Sequence, residues 1–281
     1  SSDVCSSDLG TLLEHKYLFF DVDETLYSNK TGQIPPSAAK ALKQAQTNGH
    51  KIFLNTGRPY AYIGNDFFSL DFDGYLCGNG TDLRYRGDIL YHRELPKDIQ
   101  SRIIELCRIH NIRACLEGSR CSYYTDDDTS FHPYYASMIQ VCRSSDGMVI
   151  EFNWDNVKSF DKLVCFSSPD TPQNMAAFIE DVHSLDFPFK CIKNGEDFYE
   201  VIPEGTSKGT AITFIAEHFN IPIDDCYAFG DAPNDLPMFE AAGHGIALGN
   251  AYDCVKDAAE YVTTDIDAHG IWNGLDHYGF L

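Results

Sequence analysis

The stretch Tyr17-Leu18-Phe19-Phe20-Asp21-Val22-Asp23-Glu24-Thr25-Leu26 decides how the rest of the chain is read. An apolar, aromatic run of strand length is followed by two acids one residue apart and then a hydroxyl. Acids are depleted from strand interiors, so the strand stops near Asp21 and opens into a loop. In open parallel sheets, ligands bind outside the carboxyl ends of the strands. Two carboxylates held together there repel unless a proton or cation lies between them. The stretch is therefore a candidate for a hard metal ion and for acid–base chemistry. A helix cap or a solvated turn after a core strand also accounts for it when it is taken alone.

Working outward, Ile34-Pro35-Pro36-Ser37 leads into a helical pattern over Ala38 to Thr47, with Ser37 as the N-cap and Asn48-Gly49 as the stop. Lys51 to Leu54 is a second strand running into Asn55-Thr56-Gly57-Arg58-Pro59. Strand, helix and strand with short connections form a βαβ unit with parallel strands, which brings Thr56 to the same edge as Asp21. A third strand, Gly74 to Cys77, ends at Gly78-Asn79-Gly80.

The texture then changes. Short β-like pieces (Asp88 to His92, Ile112 to Leu116, Cys121 to Thr125, Leu163 to Ser167, Phe198 to Ile202) alternate with helical patterns over Lys97 to His110 and Thr171 to His183. This predicts a second α/β lobe inserted into the first. The expected division is a disordered or extraneous leader over 1–10, a core over 11–80 and 197–281, and an inserted α/β cap over 81–196. Asp126-Asp127-Asp128 lacks the spacing and central glycine of a calcium loop and reads as solvated.

The first texture returns at Pro203-Glu204-Gly205-Thr206-Ser207-Lys208-Gly209, which opens a helix capped by Ser207. Cations are favoured at the opposite end of a helix, so Lys208 in the first turn points at something negative. Cys226 to Phe229 is another strand, and Gly230-Asp231-Ala232-Pro233-Asn234-Asp235 follows it. Asp21, Asp23, Thr56, Lys208, Asp231 and Asp235 thus all lie just after a strand or at the helix that follows. Carboxylates facing one lysine and one hydroxyl suit Mg²⁺ and a phosphate brought with it. There is no P-loop, and no Gly-x-Gly-x-x-Gly follows the first strand.

Composition narrows the partners. Forty-two acids against 21 Lys and Arg in 281 residues give a net charge of -21, which argues against nucleic acid or an anionic membrane. No run approaches the length of an apolar membrane span. The 10 cysteines contain no Cys-x-x-Cys pair and read as reduced thiols of a cytoplasmic protein. The first ten residues lack the basic start and apolar core of a signal peptide.

At these motifs the chain resembles the haloacid dehalogenase (HAD) superfamily, in its Cof-like subfamily IIB with a C2-type α/β cap. The four family motifs correspond to Asp21-Val22-Asp23-Glu24-Thr25, to Thr56, to Lys208, and to Gly230 through Asp235. The similarity runs on through Gly243 to Ala251 and Ala259 to Thr263. One departure is Glu24, where this branch commonly has Gly.

The resemblance implies a Rossmann-like parallel core and an Mg²⁺-dependent phosphomonoester hydrolase acting through an aspartyl-phosphate. Asp21 would be the nucleophile and Asp23 the acid–base. Thr56 and Lys208 would hold the phosphoryl group, and Asn234 would orient the site. Asp21, the main-chain carbonyl of Asp23, Asp231 and Asp235 would hold the metal. Implied substrates are small phosphorylated metabolites: sugar and sugar-alcohol phosphates, pyridoxal phosphate or flavin mononucleotide. A phosphotransferase or phosphomutase, or a weakly active metal-binding regulatory protein, is an alternative on the same fold. The expected assembly is a monomer or weak homodimer. Within the insertion, Arg120, Tyr123, Tyr124 and His132 occupy the most polar-aromatic stretch and are the candidates for substrate selection. Alternatively, Tyr123 and Tyr124 belong to a strand, one facing the lobe core and the other solvent.

Overall fold

A computed structural model describes residues 15–125, 128–144, 149–151 and 156–281. The expected leader, and Asp126 and Asp127 of the acidic loop, lie outside these residues. The chain begins β1(Tyr17–Phe20), α1(Pro36–Thr47), β2(Lys51–Asn55), α2(Asn65–Phe68), β3(Gly74–Cys77), β4(Asp82–Tyr85), β5(Asp88–His92). It continues α3(Lys97–Ile109), β6(Arg113–Glu117), β7(Cys121–Tyr124), α4(Pro133–Ser144), β8(Val149–Glu151), β9(Lys162–Phe166), α5(Gln173–His183), β10(Phe189–Lys193), β11(Phe198–Pro203). It closes with α6(Lys208–Phe219), β12(Cys226–Gly230), α7(Leu236–Ala241), β13(His244–Ala247), α8(Asp253–Ala258), β14(Tyr261–Val262), α9(Gly270–His277).

Two sheets organise these elements. The first has eight strands in the order β14-β13-β12-β1-β2-β3-β4-β5. It is parallel as far as β3 and antiparallel through β4 and β5. The second has six strands in the order β10-β11-β9-β6-β7-β8 and is antiparallel except where β7 meets β8. This is an α/β core sheet with a separate, mostly antiparallel cap sheet, as the resemblance implied.

β1 is central because both its faces are apolar. Leu18 and Phe20 pack with Ala41, Leu42, Ile271 and Leu275 of α1 and α9, and Phe19 packs with Ala211, Ile212 and Ile215 of α6. Phe19 stacks on Phe53 at 4.9 Å and Phe20 on Phe229 at 4.8 Å, locking the three neighbouring strands in register.

Three details differ from the sequence expectation. α1 starts at Pro36, with Pro35 rather than Ser37 at the N-cap and no side-chain cap; proline needs no amide partner in the first turn. Residues 82–92, placed in the insertion with Asp88 to His92 read as β-like, form β4 and β5 of the eight-stranded sheet, whereas β11, within 197–281, lies in the six-stranded one. Short strand texture carries no information on which sheet a strand will join. Between residues 81 and 196, the helix α4 and the strands β4, β8 and β10 have no counterpart in the sequence reading.

Two connections, one after β5 and one after β11, join the two sheets, and the turn between β3 and β4 packs beside the second. Gly80 has a φ of +90°, and a Cβ there would lie 2.6 Å from the carbonyl oxygen of Ser207. Further ties are Arg93 to the Glu204 carbonyl at 2.7 Å, His92 to Asp161 at 2.9 Å, and Arg84 to Ser119 at 2.7 Å. No helix among the described residues is long and apolar enough to cross a membrane. Cys77, Cys107, Cys165 and Cys226 are buried free thiols.

Candidate active site

Three parallel strands stop level with one another. Phe20 is in register with Leu54 of β2 and Phe229 of β12, so Asp21, Thr56 and Asp231 emerge at one edge of the sheet. The Asp21 amide donates to the Phe229 carbonyl at 3.0 Å, fixing its backbone while its side chain leaves the ladder. Asp21, Asp231 and Asp235 are 5%, 4% and 0% exposed, far drier than carboxylates ordinarily are.

Lys208 joins them from the first turn of α6. The capping box of Ser207 and Thr210 fixes where that helix starts. The Lys208 Nζ then donates to Asp21 Oδ1 and to Asp235 Oδ1, both at 2.6 Å. Asp235 Oδ2 accepts from the amides of Asp231 at 2.9 Å and Ala232 at 3.1 Å. It can lie there because residue 230 is glycine: a Cβ would come within 2.6 Å of that same oxygen. Thr25 is fully buried and donates to Asp231 Oδ1 at 2.8 Å. The hydroxyl of the opening motif therefore orients an acid 206 residues away.

One lysine does not balance three buried acids. Burial, then the Asp235 charge, pushes the Asp21 carboxyl well up, against the pull of Lys208. Burial raises Asp231 to about 7 although Thr25 hydrogen-bonds to it. The neighbouring Asp21 and Asp235 charges hold Lys208 above its ordinary value despite its burial. Ligand oxygens of Asp21, Asp231 and Asp235 lie within 4.8 Å of one another. An all-oxygen, electron-rich, under-neutralised donor set fits a hard divalent cation such as Mg²⁺.

Asp23 is placed differently. Its side chain is 46% exposed and turned to Arg58, whose Nε donates to Asp23 Oδ2 at 3.0 Å and whose second nitrogen meets Oδ1 at 2.5 Å. The guanidinium lies 5.6 Å from the Tyr27 ring centre. Thr56 Oγ1 accepts the Arg58 amide at 3.0 Å. Asp21, Asp23, Thr56, Arg58, Lys208 and the exposed Asn234 all line one cavity of about 360 Å³, within the range of small-molecule sites.

The roof of this cavity comes from the second sheet, through Glu117, Met138, Lys162, Val164 and Glu200. Lys162 forms ion pairs with Glu117 and, at 2.8 Å, with Glu200, and Asn79 donates to the same Glu200 oxygen at 2.7 Å. Sequence reasoning assigned no role to Arg58, Asn79, Glu117, Lys162 or Glu200. Arg58 adjoins Thr56 and was the nearest to being legible.

Arg120, Tyr123, Tyr124 and His132 do not line this cavity. Arg120 is exposed. Tyr123 is 3% exposed in the core of the second lobe, where its hydroxyl accepts the Lys158 amide at 3.2 Å. Tyr124 packs against the cluster under α4. His132 is buried, with its ring 5.0 Å from that of Phe166 and its Nε2 3.2 Å from Asp197. Tyr123 faces the lobe core from β7, as the strand reading of this stretch expects, and His132 packs against Phe166.

Residues 18–275 match the model of the haloacid dehalogenase-like hydrolase family. The chain is 27% identical to the putative phosphatase YkrA of Bacillus subtilis, covering 96% of this chain and 100% of that protein. It is 25% identical to the 5-amino-6-(5-phospho-D-ribitylamino)uracil phosphatase YitU of the same organism, covering 92% of this chain and 95% of that protein. Among solved structures it is similar to the HAD subclass IIB sugar phosphatase BT4131, with a TM-score of 0.78 and 26% identity over 95% of this chain and 100% of that one.

Proposed function

Since the chain belongs to the haloacid dehalogenase-like hydrolase family, we propose that it hydrolyses phosphomonoesters of small metabolites with Mg²⁺, through an aspartyl-phosphate on Asp21. The observation that carries this reading is the buried Asp21 at the end of β1, facing a cavity and sharing Lys208 with Asp235. Relatives along almost the whole chain bear phosphatase names, and sugar phosphates are the favoured substrates.

Asp21, Asp231 and Asp235 are the side chains that would hold Mg²⁺, with the main-chain carbonyl of Asp23. The metal supplies positive charge that lets a phosphate dianion approach carboxylates. A free oxygen of Asp21 attacks phosphorus and forms the new O–P bond as the bond to the leaving oxygen breaks. Asp23 delivers a proton to that oxygen, which requires it to exchange its contact with Arg58 for one with the substrate. Water then attacks the phosphorus of the phosphoenzyme; Asp23 takes its proton, and Asp21 is regenerated as phosphate leaves. Thr56 and Lys208 hold the phosphoryl oxygens. Covalent catalysis divides one difficult displacement into two, and positioned charge is the main contribution of the protein to phosphoryl transfer.

Chelator-stripped protein should lose turnover of p-nitrophenyl phosphate and regain it with Mg²⁺. Asp21→Asn should fold normally, lose turnover by about a thousandfold or more, and give no phosphoenzyme after a rapid quench. Full activity without a divalent ion, or phosphate found on another residue, would count against the reading.

A further inference from the structure

We propose that Glu117, Lys162 and Glu200 read the leaving group, accepting neutral hydroxyl-bearing ones and turning away those that carry a carboxylate. The inference rests on the phosphomonoesterase reading of the site below them.

Glu117 ends β6 and Lys162 begins β9, and the two are direct cross-strand partners. Glu200 lies on β11 opposite Val164. All three side chains point from the same face of the six-stranded sheet into the cavity that holds Asp21, Thr56 and Lys208. Glu117 and Lys162 are each 2% exposed.

That face is divided in two. Under α4 it is apolar, with Cys115, Val164 and Phe166 packed against Tyr135 and Ile139. Over the cavity it turns charged. A buried ion pair gives little net stability compared with apolar packing, and here two carboxylates share one lysine, so charge is left over. Such an arrangement is costly as architecture and useful as recognition. Carboxylate oxygens accept hydrogen bonds from hydroxyls, while Tyr62, Met138 and Val164 in the same cavity offer apolar contact to ring carbons. A carboxylate on the leaving group would meet Glu117 and Glu200 with like charge, and Lys162 beside it is already shared between them.

Specificity is a ratio, so the test measures one. Asp21→Asn protein, which should bind without turnover, is titrated calorimetrically with Mg²⁺ present at about pH 8, above the value of about 7 to which burial raises Glu117. The ligands are matched pairs: sugar phosphates such as glucose 1-phosphate, each with the uronic acid phosphate that differs only by CH₂OH to carboxylate.

At least one neutral member should bind about tenfold or more tightly than its acid partner. Adding Glu117→Gln should shrink that preference to about threefold or less. A role in folding alone would weaken both members together and leave their ratio in place. A panel in which no neutral ester outbinds its acid counterpart overturns the proposal without any roof variant. So does a preference that Glu117→Gln leaves untouched. Because binding is read without turnover, failure of the hydrolase reading would show separately, as absent hydrolysis by the wild-type protein.

Discussion

The cavity has a buried lysine in its floor and another in its roof, each clasped by two carboxylates. Lys208 bridges Asp21 and Asp235 below, and Lys162 bridges Glu117 and Glu200 above. The floor is made where parallel strands end, so its acids find backbone amides and a threonine as further partners. The roof is made by cross-strand pairing in mid-sheet, where amides are already used in the ladder, and its further partner is Asn79 from the other lobe. The same charge pattern thus serves two ends. Strand termini offer free donors for chemistry, whereas a sheet face offers side chains alone and suits recognition.

The largest effects should come from breaking each clasp in turn. Lys208→Met leaves the buried Asp21 and Asp235 without their counter-ion, and Lys162→Met leaves the buried Glu117 and the part-exposed Glu200 without theirs. The first should cost about 3–5 kcal/mol of stability and the second less, read from denaturant midpoints. Kinetics should separate them. Lys208→Met should lower kcat/KM for all esters by a similar factor, because it removes charge at the phosphoryl group itself. Lys162→Met should lower it by factors that depend on the leaving group. Equal patterns from the two variants would erase the distinction between floor and roof.

A smaller effect concerns the pH dependence of the roof. Burial raises Glu117 to about 7, with Lys162 opposing the shift. Its folded value therefore exceeds its unfolded one, and the folded state binds the proton more tightly between them. Stability attached to Glu117 is fully present below about pH 4.5 and falls as pH rises through about 7, by an amount of the order of a few kcal/mol. Thermal midpoints of the wild type relative to Glu117→Gln should decline across that window. A constant difference would show that this carboxyl does not titrate there.

The smallest effect lies in the floor loop. Glu24 has a φ of 60°, the left-handed region in which a Cβ costs about 1 kcal/mol. Its carbonyl accepts Asn250 Nδ2 at 2.8 Å, and its own Oε1 accepts the Asn29 amide at 2.8 Å. Glu24→Gly should relieve the backbone, lose the exposed Asn29 contact and loosen the unfolded chain, for a net gain of between zero and about 1 kcal/mol. Glu24→Ala keeps the strained backbone and loses the contact, so it should destabilise. Denaturant midpoints that rank the two variants the other way would refute the strain account.

These contrasts also explain what could be read from the chain itself. Asp21, Thr56, Lys208 and Asp231 each follow a strand or open a helix within a few residues, so local texture exposes them and parallel pairing does the assembling. Glu117, Lys162 and Glu200 each sit in or at the end of an ordinary strand. Their meeting depends on the order β11-β9-β6, which no local pattern specifies. The aromatic stretch around Tyr123 looked functional for the opposite reason. Its residues are conspicuous locally, but alternation along β7 turns Tyr123 into the lobe core. Glu24 is intermediate: its oddity is visible in the sequence, and the positive φ is what makes a side chain unusual there.

The connections at Arg93 and Glu204 touch, so the residues between them form a closed excursion from the eight-stranded sheet. Such a loop needs no particular span between its ends. Its length and contents can change without moving Asp21, Thr56 or Lys208. A single genetic insertion at that one point could therefore supply, enlarge or exchange the roof while the floor stays as it was.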